Sequence, residues 1–98
     1  MIVWKVTIIL YAHDDAEVVR AEHPRCLVTC DQAGDGSDRA YSGHAFVSDE
    51  TGNVLFEWVA FDDYAIKVFK DHVRINGALR ASDHPYGYIK LVPVEVRS

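Results

Sequence analysis

The chain has 98 residues, 49% of them hydrophobic and 26% charged, with a formal charge of −5. That length supports a single domain, 1–98, with one modest core, and the composition is neither disordered nor fibrous. The acidic balance excludes a general duplex-DNA binder, which needs a basic footprint, and two cysteines are too few for a secreted disulfide framework.

The first predicted element is a strand over 2–12. Ile2, Trp4, Val6, Ile8 and Leu10 form an apolar even face, whereas Val3, Lys5, Thr7, Ile9 and Tyr11 form a mixed odd face. Trp4, Lys5 and Tyr11 argue against a cleaved leader, and no apolar run approaches the ~20 residues that span a bilayer. A cytoplasmic protein without a membrane partner is expected. A strand of this length would run about 35 Å if unbroken, which implies a bulge, a strong twist or an end that pairs with another chain.

Asp14 or Asp15 then caps a short helix over 15–22, with Ala16, Val19 and His23 along one side and Pro24 as the stop. Residues 26–30 read as a short second strand. Residues 31–38 form a loop rich in Gly and Asp. A hairpin follows: a strand over 40–48, a turn at 49–53 and a return strand over 54–61. Asp62 and Asp63 cap a second helix that runs to Asn76. Its core stripe is Ile66, Phe69 and Val73, joined by Ala65 and His72, with Lys67, Lys70, Asp71 and Arg74 largely on the other side. Asn76–Gly77 supplies a left-handed stop. The last strand spans 86–96, and Pro93 marks it as an edge. The order β-α-β-β-β-α-β predicts an α+β fold: an antiparallel sheet of four to five strands with two helices on one face, a ferredoxin-like variant.

No catalytic signature emerges. His13, His23, Cys26, Cys30 and His44 are zinc-ligand types, but their spacing matches no compact zinc knuckle, and structural thiols are the simpler reading. The spacing of Asp31, Asp35 and Asp38 departs from a calcium loop, and the carboxylates around Gly34 and Gly36 repel phosphate. The pairs Asp14–Asp15, Asp49–Glu50 and Asp62–Asp63 are sequence neighbours whose side chains diverge, so none makes an acid–base pair. No catalytic residue, metal or cofactor is assigned. Phe46, Phe56, Trp58, Tyr86 and Tyr88 are assigned to packing or a protein interface rather than to RNA stacking, because the first three lie in an acidic stretch.

Charge is distributed unevenly. Residues 14–63 hold twelve acidic and three basic side chains, and residues 64–98 hold three acidic and six basic ones. A shared anionic flank would steer the protein toward a basic partner. The expected function is a non-catalytic protein-interaction module, an acidic inhibitor docking on the basic, nucleic-acid-binding surface of another protein. It would make no direct nucleic-acid contact. In size and charge, though in no motif, the chain resembles small acidic inhibitors of phages and mobile elements. The contact carboxylates would be Asp31, Asp35, Asp38, Asp49, Glu50, Asp62 and Asp63, with Tyr41 and Trp58 as apolar anchors. Two alternatives stand beside this: a small metal- or ligand-binding enzyme built on the His/Cys set, and a homodimeric structural or regulatory domain whose acidic and basic segments face each other.

Overall fold

The computed structural model describes residues 1–12, 14, 16–32, 43–60, 66–80 and 86–97. These form seven strands: β1 (Ile2–Tyr11), β2 (Glu17–Gln32), β3 (Gly43–Ser48), β4 (Val54–Ala60), β5 (Ile66–Val68), β6 (Val73–Leu79) and β7 (Gly87–Val96). Neighbours in the order β4-β3-β2-β1-β7-β6-β5 pair antiparallel, and a further β4–β6 pairing closes six of them into a barrel with β5 appended to β6. Among the described residues there is no helix. The expected α+β, ferredoxin-like sheet with two helices is therefore incorrect; the fold is all-β.

The register shows how the barrel closes. Leu10 faces Gly87, Gly87 faces Gly77, Gly77 faces Ala60, Ala60 faces Gly43, and Gly43 faces Gln32 on β2. Yet Leu10's own partner on β2 is Val18. A circuit thus returns far along the same strand, the stagger that steeply tilted barrel strands require. The stagger explains the 16-residue length of β2: Glu17–Cys26 follows β1, and Leu27–Gln32 follows β3.

The same strand takes the place of the helix expected over 15–22. Val18, Ala21, His23 and Cys26 are opposite Leu10, Ile8, Val6 and Trp4, with register shifts between Trp4 and Val6 and between Ile8 and Ile9. Each bulge adds a residue to β2, and the expected helical stripe is not one face of it: Val19 is opposite Ile9 and His23 opposite Val6, on opposite sides of the strand. Residues 26–30 are the continuation of this strand, not a separate one.

The second expected helix is a tight hairpin. Val68 faces Val73 and Ile66 faces Ile75, and the Phe69 amide donates to the His72 carbonyl at 2.9 Å across the turn. Ile66, Phe69 and Val73 have helical spacing, but cross-strand partners dictate the outcome for such β-branched and aromatic residues. Gly77 is not a helix stop. A Cβ there would overlap the carbonyl oxygen of Val59 and come within 2.9 Å of Trp58 Nε1. Its cross-strand partner Gly87 would likewise overlap the Ile9 carbonyl and come within 2.8 Å of Leu10 Cα. The pair lets neighbouring backbones approach where the barrel closes.

The interior is packed. Of the even positions expected to face the core, Val6, Ile8 and Leu10 pack with Trp58, Ile75, Ile89 and Leu91 and Trp4 is partly buried against them, whereas Ile2 is exposed and the odd-face Val3 and Ile9 are buried as well. Trp58 is fully buried, and no polar or charged residue is buried among the described ones. The 49–53 turn forms as expected, with Gly52 at φ 98°. Beyond Leu91, β7 pairs with β1 alone, so Pro93 does lie where one side of the strand has no ladder.

Candidate binding surface

Of the carboxylates expected to dock on a partner, two have described side chains, and both serve the fold. Asp49 organises the β3–β4 turn. Its Oδ1 accepts from the Thr51 hydroxyl at 2.7 Å, the Thr51 amide at 2.9 Å and the Asn53 amide at 3.0 Å. These bonds, the Thr51 hydroxyl first, hold its carboxyl below the usual range. Glu50 pairs with Arg25 of β2 and with Arg97 at the chain's end, while Arg25 also pairs with Glu95. Hydrogen bonding from Arg25 lowers the Glu50 carboxyl in turn. Asp31, the penultimate residue of β2, is opposite His44 in the ladder. Its side chain and residues Asp35, Asp38, Tyr41, Asp62, Asp63 and His13 lie outside the described residues. Trp58 cannot serve as a surface anchor, because the barrel interior encloses it completely.

Each of the other described carboxylates is also occupied. Asp14 accepts from the Ala16 amide at 3.1 Å, and Glu22 lies 3.9 Å from Lys5 Nζ. Glu17 accepts from the Tyr88 hydroxyl at 3.0 Å. Glu57 contacts His44 Nδ1 and lies 3.5 Å from Arg80 Nε. Asp71 contacts His72 Nδ1 at 2.7 Å, a bond that lowers its carboxyl.

The cations of β5, β6 and β7 are arranged differently. Lys67 faces Arg74, and Arg74 faces Lys90, so three positive side chains lie directly across neighbouring strands on one face. That face is the outer one, because the alternating residues Ile75, Ile89 and Leu91 belong to the core. Among the described residues no carboxylate lies within ion-pair distance of Lys67, Arg74 or Lys90. Like charges directly opposite one another on a sheet destabilise it.

Aromatic rings border this row. The Arg74 guanidinium lies over the Tyr88 ring, 3.7 Å from its centroid, and 5.9 Å from the Phe69 centroid. Tyr88 in turn approaches Tyr11 at 6.3 Å, and Phe69 stacks on His72 at 4.6 Å. Arg74 Nε is buried without a hydrogen-bond partner, and the guanidinium is stacked on the Tyr88 ring. Tyr88 is buried, whereas Phe69 is 43% exposed, Tyr11 37% and Tyr86 61%. Lys67 and Arg74, expected on the solvent side of a helix, lie instead on adjacent strands, and the sequence signal for this face is the basic surplus after residue 64.

The described members of the His/Cys set do not converge. His23 lies against Phe56 with ring centroids 5.6 Å apart, His44 stacks on Phe46 at 6.2 Å, Cys26 is buried and Cys30 is exposed. Burial raises the Cys26 thiol. Among the described residues no three His, Cys, Asp or Glu side chains are grouped to hold a metal.

A cleft of about 610 Å³ opens where β1 and β2 cease to pair, lined largely by Ile2, Trp4, Leu27, Val28, Phe46 and Val54. It carries no charged side chain and offers a ligand little orientation. A scan of the sequence against family models, a search of curated proteins and a search of solved structures each find no match.

Proposed function

We propose that the protein is a non-catalytic binding module whose outer β5–β6–β7 face receives an anionic partner. One observation carries this reading: every carboxylate with a described side chain is engaged within the fold, while no described carboxylate lies within ion-pair distance of the facing cations Lys67, Arg74 and Lys90; Asp71, bonded to His72, acts on Lys90 only from beyond that range. The packed interior supports it, since a barrel filled by its own side chains does its binding outside. An anion on this face would relieve the repulsion between the three cations.

Binding to a heparin matrix tests the reading. At about 0.01 M salt, where screening reaches about 30 Å, the wild type is expected to be retained. A Lys67→Gln/Arg74→Gln/Lys90→Gln variant is expected to pass through. Co-elution of the two, or an unretained wild type, overturns the proposal.

A second reading keeps the acidic half as the docking element. Its support is the segregation of twelve acidic residues into 14–63, and it now rests on Asp31, Asp35, Asp38, Asp62 and Asp63. Replacing those five by Asn should abolish low-salt capture of a basic protein. Capture indifferent to both the substitutions and salt removes the reading. The same segregation supports a homodimer, which would dissociate with rising salt in sedimentation.

A further inference from the structure

The β5–β7 face carries more than charge. Phe69 follows β5, Arg74 sits on β6, Tyr88 on β7 and Tyr11 at the end of β1. Successive separations of 5.9, 3.7 and 6.3 Å make one continuous line of ring, guanidinium, ring and ring. The row Lys67–Arg74–Lys90 crosses that line at Arg74, with backbones about 10 Å apart from first to last. Lys70 is exposed in the turn beside Phe69. Among the described residues the carboxylates bordering the face are Glu17, Glu22 and Asp71, engaged by the Tyr88 hydroxyl, Lys5 and His72 respectively, and Asp71 also feels Lys90.

We infer that this face binds single-stranded nucleic acid, with phosphates on Lys67, Arg74 and Lys90 and bases against the exposed rings of Phe69 and Tyr11. The inference rests on the reading above that the face receives an anion, and it names that anion. An acidic peptide would use the cations alone, whereas unpaired bases use the neighbouring π-faces as well. A duplex keeps its bases stacked inside and presents only phosphate, for which a chain of net charge −5 is poorly suited. The −5 charge does not exclude a single strand, because the described carboxylates bordering the row are engaged within the fold.

The test is fluorescence anisotropy with the full chain and a labelled oligothymidylate of roughly a dozen nucleotides. A duplex of equal length and polyglutamate serve as competing probes. Oligothymidylate should bind more tightly than either. Three phosphate contacts imply a slope of log K against log salt of about −2, and Arg74→Gln should make it about 0.7 shallower. Phe69→Leu and Tyr11→Leu, which keep apolar bulk and lose the ring, should each weaken oligothymidylate roughly tenfold. Both should leave polyglutamate unchanged. Phe69→Tyr and Tyr11→Phe should restore binding, which separates loss of a ring from loss of fold.

If polyglutamate or heparin binds through the three cations while oligothymidylate binds no better, or ignores the Leu substitutions, the nucleic-acid assignment fails and the anion-binding reading stands. If no anion binds, both fail.

Discussion

Where the β3–β4 turn meets the end of β7, Glu50 lies between Arg25 and Arg97, and Arg25 reaches on to Glu95. On the β5–β7 face, Lys67, Arg74 and Lys90 oppose one another with no carboxylate near enough to pair among the described residues. The first region centres on Glu50, from the acidic half of the sequence, and its described carboxylates are satisfied. The second belongs to the basic end of the sequence and holds cations that no described carboxylate pairs. Formal charge counts side chains; recognition depends on those left without a partner. A cluster that neutralises itself serves the fold, and a row of like charges strains it unless something else binds there.

Both regions are mounted on one closed cylinder, so the largest effect should come from opening it. Gly77→Ala, whose new methyl group overlaps the Val59 carbonyl, is expected to cost about 4 kcal/mol or more, or to prevent folding, in urea titration. Gly87→Ala should act alike, and neither should spare one region over the other.

Charge removal separates the two regions by sign. Asp49→Ala removes the acceptor of three turn bonds, and Glu50→Gln removes the partner of two arginines. Both should lower the thermal midpoint. A midpoint unchanged by either would show that the acidic cluster is not structural.

Acid provides a related test. The Asp49 and Glu50 carboxyls are held below their usual range in the folded chain. Their stabilisation is therefore fully present above the unfolded value of about 4 and is lost as pH falls through the lower folded values. The thermal midpoint should decline from about pH 5 downward, and less steeply in the Asp49→Ala/Glu50→Gln variant. Parallel curves would disprove the link.

The smallest expected change lies on the other face and has the opposite sign. Lys67→Gln/Lys90→Gln leaves the Arg74–Tyr88 stack in place and removes two facing repulsions. It should raise stability by about 0.5 kcal/mol at low salt, with the gain fading as salt is added. A loss instead would mean that an unseen counter-charge already sits on the row.

Several features were legible before any coordinates. The alternation in β1 named Val6, Ile8 and Leu10 as core, the 49–53 segment named the turn, and Pro93 named a stretch of β7 with one open side. The two helices were misread for separate reasons. In β2 the stripe of Ala16, Val19 and His23 has helical spacing, but Val19 and His23 lie on opposite sides of a bulged strand. In β5–β6 a four-residue turn sets Val68 against Val73, so residues that cross a hairpin mimic residues one helical turn apart. Trp58 was read as a rim anchor because burial depends on which strands lie over it, a property of barrel closure absent from local pattern.

What the chain decides alone is the identity of its strands' apolar faces, the position of its tight turn and the surplus of base after residue 64, because alternation, turn chemistry and charge are local. What tertiary structure alone decides is the pairing. The stagger divides β2 between two neighbours, presses Gly77 and Gly87 against adjoining backbones, and sets Lys67, Arg74 and Lys90 side by side from three different strands. No local rule anticipates that row, since its members are neighbours only through hydrogen-bonded ladders.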